Sequence, residues 1–221
     1  QKMREQGYRL ITIFEDEWME RREIVKSVLA MKLNKSSNSN IFARKCTIER
    51  NPNKNKVEEF LEINHLQGKA SYTEAISLLY EDQMVAVMTF LVSDREATLN
   101  RFCVKLDTAI IGGATKMFNH YLRDCTVEKI KTFADLRWSE GEVYQQMGFD
   151  SKHLLKPIYF YILNNKRYHK FLFRKKKMKH KIPNYDSALT EHENALNNNL
   201  FRIYDCGYLK FEKLLQKDNI S

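Results

Sequence analysis

The chain has 221 residues, of which 43% are hydrophobic and 12% aromatic, which is enough for a packed core in one domain with appendages or in two small domains. Its 37 Lys and Arg residues against 28 Asp and Glu residues give a formal net charge of +9, which suits a polyanionic partner such as nucleic acid or an anionic membrane surface. No long uncharged apolar segment that could span a bilayer and no secretory leader is recognised, so a membrane partner is disfavoured and a cytoplasmic location is expected.

The cysteines and histidines do not indicate a metal centre. The four cysteines, at positions 46, 103, 125 and 206, form no Cys-x-x-Cys pair, which argues against both a zinc site and a disulfide framework. The six histidines are equally dispersed. We therefore assign no metal and expect reduced thiols.

The N-terminal segment carries three adjacent acids, Glu15, Asp16 and Glu17. Adjacent carboxylates can hold Mg2+ and activate water in a nuclease. Successive side chains of a strand point to opposite faces, however, so three in a row cannot converge on one ion without a turn. A structural or capping role is favoured, because a helical pattern follows from Trp18 and acids suit the first turn of a helix.

Residues 1–18 as a whole resemble the closing helix end, strand and Glu-rich turn of phage endonucleases related to the very-short-patch-repair nucleases. In those proteins the metal-binding carboxylates and histidine precede this segment, and here they are missing. Because the sequence begins with Gln1, we expect the C-terminal part of a longer product or a degenerate relative, without nuclease activity of its own. Residues 1–36 are interpreted as a nuclease-like remnant, with a polar linker extending to residue 40.

The following segments alternate between strand-like and helix-like patterns. We predict a strand at residues 41–49, a helix at 57–64, and a hairpin of strands 74–80 and 84–90 across residues 81–83. Residues 97–106 then alternate apolar and polar side chains, as a half-buried strand does, with Leu99, Phe102 and Val104 as the inward residues.

Two adjacent glycines, Gly112 and Gly113, stand between this strand and a helical pattern over residues 114–123. Glycines leave backbone N–H groups uncovered, and the positive end of the helix dipole adds to their attraction for an anion. The spacing fits neither a Walker loop nor a dinucleotide-binding fingerprint, so a different pyrophosphate-binding turn is predicted. The alternative is that the glycines only form a tight turn between a strand and a helix.

A second strand and a second helix follow at residues 129–135 and 139–147, with Ser139 as a candidate cap of the helix. The order of strand, helix and strand implies that the two strands run parallel.

At these residues the chain resembles the GNAT acyltransferases. In that superfamily a bulged strand and a glycine-rich turn hold the coenzyme A pyrophosphate on a helix N-terminus. The next helix carries a tyrosine ahead of a Leu-Gly-Phe ending, to which Tyr144-Gln-Gln-Met-Gly-Phe149 is similar. The resemblance covers residues 41–175 and implies an α+β fold of the three-layer α/β kind, with a central mixed sheet and flanking helices. It also implies acetyl-CoA or another acyl-CoA as the cofactor.

Within that superfamily the chain is similar to the Mom-type proteins of phages, which modify adenine in DNA. Their pattern is matched by Arg101-Phe102, by the glycine turn with Thr115 where a serine is more frequent, by Phe133-Ala134-Asp135 and by Tyr144. This similarity implies modification of DNA bases in the cytoplasm of a phage-infected host.

The resemblance also assigns a candidate site. The pyrophosphate-binding residues would be Ile111, Gly112, Gly113, Ala114, Thr115 and Lys116, and the candidate catalytic residues are Arg101, Thr115, Asp135 and Tyr144. Arg101 would orient substrate or cofactor, while Asp135 and Tyr144 would sit near the thioester. Tyr144 either protonates the departing thiolate, since a phenol with a pKa of about 10 is closer to an acid than to a base at neutral pH, or merely packs. Asp135 either takes part in the chemistry or caps a turn ahead of the helix.

The C-terminal part concentrates the positive charge. We predict a hairpin of residues 157–163 and 168–173, a turn at 183–187, a helix at 188–198 and a closing strand at 201–204, so that residues 176–221 form a basic link and a tail packed on the core. Nine cations are candidates for DNA contact: Lys166, Arg167, Lys170, Arg174, Lys175, Lys176, Lys177, Lys179 and Lys181. Interleaved aromatic side chains could stack on unpaired bases. The alternative is that the run is only a flexible, solvated tether.

The sequence leaves two functional hypotheses. The first is acyl-CoA-dependent modification of DNA bases. The second is a non-catalytic DNA-binding arm of a homing endonuclease, which keeps the fold but has lost its affinity for coenzyme A. A nuclease module on the same longer chain is compatible with both hypotheses.

Overall fold

The computed structural model describes residues 6–8, 10–33, 35 and 39–215. Most of the predicted linker, at residues 34 and 36–38, lies outside these described residues. The helices are α1 (Glu15–Glu20), α2 (Arg22–Lys32), α3 (Lys54–Asn64), α4 (Gly113–Asp124), α5 (Glu142–Gln146), α6 (Lys175–Met178) and α7 (Glu191–Asn197). The strands are β1 (Ser39–Phe42), β2 (Thr47–Arg50), β3 (Glu74–Tyr80), β4 (Gln83–Ser93), β5 (Glu96–Val104), β6 (Thr108–Ile111), β7 (Lys129–Asp135), β8 (Ser151–Leu155), β9 (Tyr159–Leu163), β10 (Lys166–His169), β11 (Phe201–Tyr204) and β12 (Tyr208–Leu214).

Seven strands form a central mixed sheet in the order β2-β3-β4-β5-β7-β12-β8. Its neighbouring strands are antiparallel except β5 and β7, which run parallel. The predicted α+β fold with a central mixed sheet and flanking helices is therefore confirmed, and so is the predicted parallel pair.

Helices cover both faces of the sheet because its central strands are apolar on both faces. On one face, α3 buries Val57, Phe60 and Leu61 against β3, β4 and β5. On the opposite face, α4 buries Met117 and Phe118 in the main core cluster. Burial of a large apolar side chain contributes about 1.5–3 kcal/mol, so these contacts are what hold the three layers together.

In the C-terminal part, the structure shows strand pairings that the sequence does not predict. β9 and β10 do pair across Asn164 and Asn165, both of which have positive φ. The hairpin, however, joins β11 in a separate three-stranded sheet and not the central one. The place in the central sheet is taken by β12, which lies between β7 and β8. The tail is thus not merely packed on the core, and the central sheet extends beyond the expected boundary at residue 175.

The N-terminal segment also differs from its prediction. The described residues between 6 and 14 form no strand, and the chain enters α1 directly at Glu15. The three acids occupy the first turn of α1, where the Glu17 carboxylate accepts a hydrogen bond from the Phe14 N–H at 3.2 Å. The predicted strand at residues 41–49 is interrupted by a 3-10 turn at Ala43–Lys45, and its first part, β1, pairs in parallel with β6.

The end of α3 is built around a partly buried histidine. The His65 N–H closes the helix on the Leu61 carbonyl at 2.9 Å, and its Nδ1 accepts a hydrogen bond from the Gln67 N–H at 3.1 Å. Burial, together with the charges of Arg101 and Arg21, lowers the pKa of His65 to about 3. The imidazole is therefore neutral in the folded chain at physiological pH.

Truncation of Phe211 tests the interior position of β12. Phe211 is only 1% exposed, whereas Phe133 on the neighbouring β7 is 39% exposed. We expect Phe211→Ala to lower the free energy of unfolding by about 3–5 kcal/mol, because removal of the ring leaves a cavity. The matched Phe133→Ala should cost less than about 1 kcal/mol in the same urea titration. Equal losses for the two variants would contradict an internal β12.

The pH dependence of stability tests the environment of His65. The folded pKa of about 3 lies below the ordinary value of 6.5, so the unfolded chain binds one more proton between these pH values. The contribution of this histidine to the free energy of unfolding is therefore complete above pH 6.5. It falls as the pH drops, by at most about 1.4 kcal/mol per pH unit. Urea titrations between pH 7 and pH 5 should show that the free energy of unfolding depends less on pH in His65→Gln than in the unmodified chain. If the free energy of unfolding of His65→Gln depended on pH as steeply as that of the unmodified chain, the low pKa of His65 would be refuted.

Candidate active site

The parallel pairing of β5 and β7 stops partway along both strands. Glu96–Leu99 pairs with Lys129–Thr132, and beyond this point both strands continue without pairing to each other. The cause is a bulge in β5. Leu99 and Arg101 pair with two consecutive residues of β4, so that Asn100 between them is the extra residue. A bulge bends its strand and increases the local twist. Two adjacent strands consequently separate in the middle of the sheet.

Tyr144 lies where this separation begins. It projects from α5, and its ring packs against Phe149 and Phe211 at centroid distances of 6.0 and 5.5 Å. Its phenol faces Thr132, whose hydroxyl donates to the Leu99 carbonyl at 2.9 Å across the last parallel pair. Burial raises the pKa of Tyr144, and the charge of Arg101 opposes the rise only in part. The phenol is thus protonated at neutral pH and can serve as a proton donor.

Two backbone carbonyls hold the side chain of Arg101. Its Nε donates to the Gly68 carbonyl at 3.0 Å and its Nη1 donates to the Asn100 carbonyl at 2.8 Å. Burial lowers its pKa, and the neighbouring phenols of Tyr144 and Tyr208 act in the opposite direction. The structure therefore places Arg101 and Tyr144, two of the four candidate catalytic residues, near each other.

The glycine turn keeps its backbone uncovered. Gly112 has a φ of +77°, in the left-handed region that favours glycine, and a Cβ there would meet nothing closer than the Ala43 Cβ at 3.9 Å. At Gly113 a Cβ would lie 2.7 Å from the Ile110 side chain, so a larger residue would disturb the turn. The first N–H groups of α4, including those of the partly exposed Ala114 and Thr115, have no acceptor within the helix. The turn thus presents uncovered backbone beside Ile111, which is 49% exposed.

Lys116, the last residue assigned to this turn, is directed elsewhere. Its ammonium group donates to the Ala43 carbonyl at 2.9 Å and to the Cys46 carbonyl at 2.6 Å. These contacts tie the 3-10 turn to α4. The cation thus has a structural role in this conformation, and any anion at the turn would be held by backbone N–H groups.

Asp135 is occupied by a neighbouring arginine. Its Oδ1 accepts a hydrogen bond from the Arg137 N–H at 3.0 Å, and its Oδ2 lies 2.7 Å from the Arg137 Nη2. The Asp135 carbonyl accepts from the Ser139 N–H at 3.0 Å. These contacts favour the alternative in which Asp135 caps the turn after β7. Ser139 is not the cap of α5: the residue before this helix is Gly141, and the helix begins only at Glu142.

Arg137 connects this turn to the N-terminal helix. It is 4% exposed, and its Nη1 donates to both carboxylate oxygens of Glu17, at 2.8 and 2.9 Å. A buried charge is tolerated only when it is paired in this way, and removal of one partner typically costs about 3–5 kcal/mol. The segment expected to be a nuclease-like remnant is therefore tied to the core by a buried ion pair.

Two of the nine candidate DNA-binding cations are engaged by the same helix. Arg167 Nε lies 2.7 Å from the Asp16 Oδ1, and its Nη2 lies 2.8 Å from the Glu17 Oε1. Lys166 pairs with Glu20 at 2.5 Å. Lys170 is partly exposed, and the other six cations, Arg174, Lys175, Lys176, Lys177, Lys179 and Lys181, are exposed. The free part of the basic run is therefore its second half.

Thr132 and Tyr208 are site residues that the sequence does not predict. Thr132 is a fully buried polar residue in β7. Its polarity among the apolar residues of a predicted strand is the one feature of the sequence that could have identified it. Tyr208 begins β12 opposite Asp135, and burial, with the nearby charges of Asp135 and Asp205, raises its pKa to about 12. Nothing in the sequence indicates that this residue of the tail lies near Arg101.

Other possible sites are weaker. A cleft of about 270 Å3 lies beside the turn after β7, lined by residues that include Tyr8, Leu10 and Trp138 but neither Tyr144 nor the glycine turn. In the described part of the chain, no group of three or more His, Cys, Asp or Glu side chains is arranged to hold a metal ion. No described helix has the length and apolar character needed to cross a membrane.

Comparisons with known proteins gave matches among solved structures alone. No family model and no curated protein matches the chain. The chain is similar to the ribosomal-protein-S18-alanine N-acetyltransferase from Escherichia coli, with 11% identity, a TM-score of 0.44, and coverage of 80% of this chain and 99% of that one. It is similar to a Bacillus subtilis acetyltransferase in complex with CoA, with 12% identity, a TM-score of 0.38, and coverage of 78% and 100%. It is also similar to a GNAT family acetyltransferase from Elizabethkingia anophelis with acetyl-CoA bound, with 11% identity, a TM-score of 0.38, and coverage of 77% and 99%.

Proposed function

We propose that the chain is an acyl-CoA-dependent acyltransferase of the GNAT type that modifies bases of DNA. The observation that carries the proposal is the protonated phenol of Tyr144 at the point where β5 and β7 separate. In the superfamily that the sequence resembles, a tyrosine on the corresponding helix stands near the thioester. The topology around Tyr144 agrees with that arrangement, since the bulged strand, the glycine turn and the tyrosine helix follow in the same order.

The residues of the glycine turn fit the pyrophosphate of an acyl-CoA. The backbone at Gly112 is open, and the N–H groups of Gly113, Ala114 and Thr115, at the positive end of α4, have no acceptor within the helix. Phe118 of α4 and Tyr144 of α5 both pack on Phe149, with ring centroids 5.2 and 6.0 Å from it. The anion-binding turn and the proton donor thus belong to one packed unit.

The side chains around the separation can perform acyl transfer. Acyl-CoA, when bound, supplies an acyl group activated as a thioester. Tyr144 holds the proton that the departing sulfur needs as its bond to the acyl carbon breaks. Arg101 presents a fixed positive charge to the same phenol and stabilises the phenolate left after that transfer, until solvent returns a proton. The proton released by the acceptor nitrogen passes to solvent.

DNA is proposed as the acceptor on the ground of charge and sequence. The net charge of +9 attracts polyanions, and the exposed cations of residues 174–181 form a nearly continuous basic stretch beyond the paired Arg167. The similarity of Arg101, Thr115 and Tyr144 to the pattern of the Mom-type proteins supports a base as the acceptor. Phosphate contacts of this kind would position the DNA without reading its sequence.

The second candidate is a non-catalytic DNA-binding arm associated with a homing endonuclease. Two observations favour it: the ammonium group of Lys116 is occupied by backbone carbonyls, and the carboxylate of Asp135 is occupied by Arg137. Under this hypothesis the basic stretch carries the activity and coenzyme A is not bound.

A charge placed at Thr115 separates the two candidates. Thr115 is the third residue of α4, where a glutamate suits the helix dipole, so Thr115→Glu should fold normally. Its carboxylate should nevertheless repel the pyrophosphate and weaken acetyl-CoA binding at least tenfold in calorimetric titration. Thr115→Gln has the same size without the charge and should bind within about threefold of the unmodified chain. Absence of binding by the unmodified chain would favour the DNA-binding arm.

Removal of the Tyr144 hydroxyl tests its role as the proton donor. Tyr144→Phe keeps the ring packing and should lower kcat by about 100-fold or more with little change in KM, since general acids typically contribute factors of this size. The rate is measured as release of free thiol from acetyl-CoA in the presence of mixed-sequence DNA. Tyr168→Phe removes a hydroxyl from the separate three-stranded sheet and should leave the rate unaltered. A full rate in Tyr144→Phe would exclude the assigned role.

A further inference from the structure

The three-stranded sheet and the 3-10 turn at Lys170–Phe173 carry a partly exposed surface that combines aromatic rings with cations. It comprises Tyr204, Tyr159, Lys170, Phe171 and Arg174, and we refer to it as the aromatic–basic surface. The Tyr204 and Tyr159 rings lie 5.9 Å apart, and the Lys170 ammonium lies 5.3 Å from the Tyr159 ring and 5.9 Å from the Phe171 ring. The Arg174 guanidinium is stacked over Phe171 at 4.0 Å. The five side chains therefore form one continuous row.

The outer rings of this row are not needed for the core. Tyr204 is 56% exposed and Phe171 is 47% exposed, whereas Tyr161, on the same strand as Tyr159, and Phe173, in the same 3-10 turn as Phe171, are almost completely buried. These inner rings, with Met178, fill the small core beneath the sheet. Large aromatic side chains that remain exposed next to one another, with cations between them, are typical of a binding surface.

The charge that continues from this row is available to a ligand. Lys175, Lys176 and Lys177 follow Arg174 directly and are exposed. Within the described ranges, none of these three lysines forms an ion pair with a carboxylate, whereas Lys166 and Arg167 at the other end of the run are paired with α1. The folded chain thus pairs one end of the basic run with α1 and leaves exposed the end that adjoins the rings.

We infer that the aromatic–basic surface binds single-stranded nucleic acid, with bases stacked on Tyr204 and Phe171 and phosphates on Arg174 and Lys175 to Lys177. Every base has a π face, and base stacking on aromatic side chains combined with cations along the backbone is the usual mode of single-strand binding. Bases inside a duplex are stacked on one another and cannot reach the rings. An acidic peptide would use the cations but would leave the rings without partners.

This inference rests on the proposed function in one respect, since it specifies the form in which the nucleic acid acceptor is held. An exocyclic amine of a base is accessible to an acyl donor only when the base is out of the duplex. A single-strand surface on the chain that carries Tyr144 would keep bases in that accessible state.

Fluorescence anisotropy with a labelled 12-nucleotide mixed-sequence DNA strand and with its duplex tests the inference. The unmodified chain should bind the single strand at least fivefold more tightly than the duplex at equal salt. Tyr204→Ala with Phe171→Ala should weaken single-strand binding about tenfold or more, because two stacking partners are removed. Tyr204→Trp should retain binding, since an indole offers the same stacking face.

Phe201→Ala is the matched control for the rings. Phe201 lies on β11 like Tyr204 and is 58% exposed, but it projects from the opposite face of the strand. This variant should bind within about twofold of the unmodified chain. Replacement of Arg174, Lys175, Lys176 and Lys177 by Ser should reduce the slope of log K against log salt by about 0.7 for each phosphate that the variant no longer neutralises.

Three outcomes would overturn the inference. One is equal loss of binding in Phe201→Ala and in the Tyr204→Ala with Phe171→Ala variant, another is equal affinity for duplex and single strand, and the third is equally effective competition by a polyglutamate of the same charge. Circular dichroism melting confirms that each variant is folded. Acetyl-CoA titration is a separate measurement, so coenzyme binding and single-strand binding can each fail while the other holds.

Discussion

The bulge at Asn100 is the constraint on which the candidate site depends. Before the bulge, Leu99 faces the core beneath α4, and unbroken alternation along β5 would direct Cys103 to the same side. Cys103 instead packs beneath α3, because one extra residue exchanges the two faces of the strand. The same change turns Arg101 toward the end of α3 and ends the parallel pairing with β7. Without it, the sheet would be closed where Tyr144 stands.

Local patterns predict local structure well and long-range pairing poorly. Residues 74–80 and 129–135 form strands with the predicted bounds, because alternation and apolar content are properties of the segment itself. Periodicity does not identify a strand's partner, so neither the insertion of β12 nor the separate sheet of β9 and β10 could be read from it. The same holds for the candidate site. The glycine turn and the helix that carries Tyr144 are recognisable in the sequence. The position of the Lys116 ammonium group is not, because it depends on a backbone carbonyl of the 3-10 turn, which is distant in the sequence.

Charge in this chain is divided between two uses. Acids of α1 neutralise Arg137 and Arg167 in contacts that exclude water, where an unpaired charge would be strongly destabilising. The cations of residues 174–181 have exposed side chains and contribute to the long-range field. A count of Lys and Arg along the sequence cannot separate the two groups, because the difference lies in which acids the fold brings near them.

The position of β12 has a consequence for synthesis on the ribosome. β7 and β8 emerge first, and their facing edges remain unpaired until residue 214 has left the exit tunnel, because β12 must enter between them. An unpaired edge is a template for a strand from another molecule. Exchange of this strand between nascent chains therefore competes with correct closure, and the competition grows with the local density of translating ribosomes.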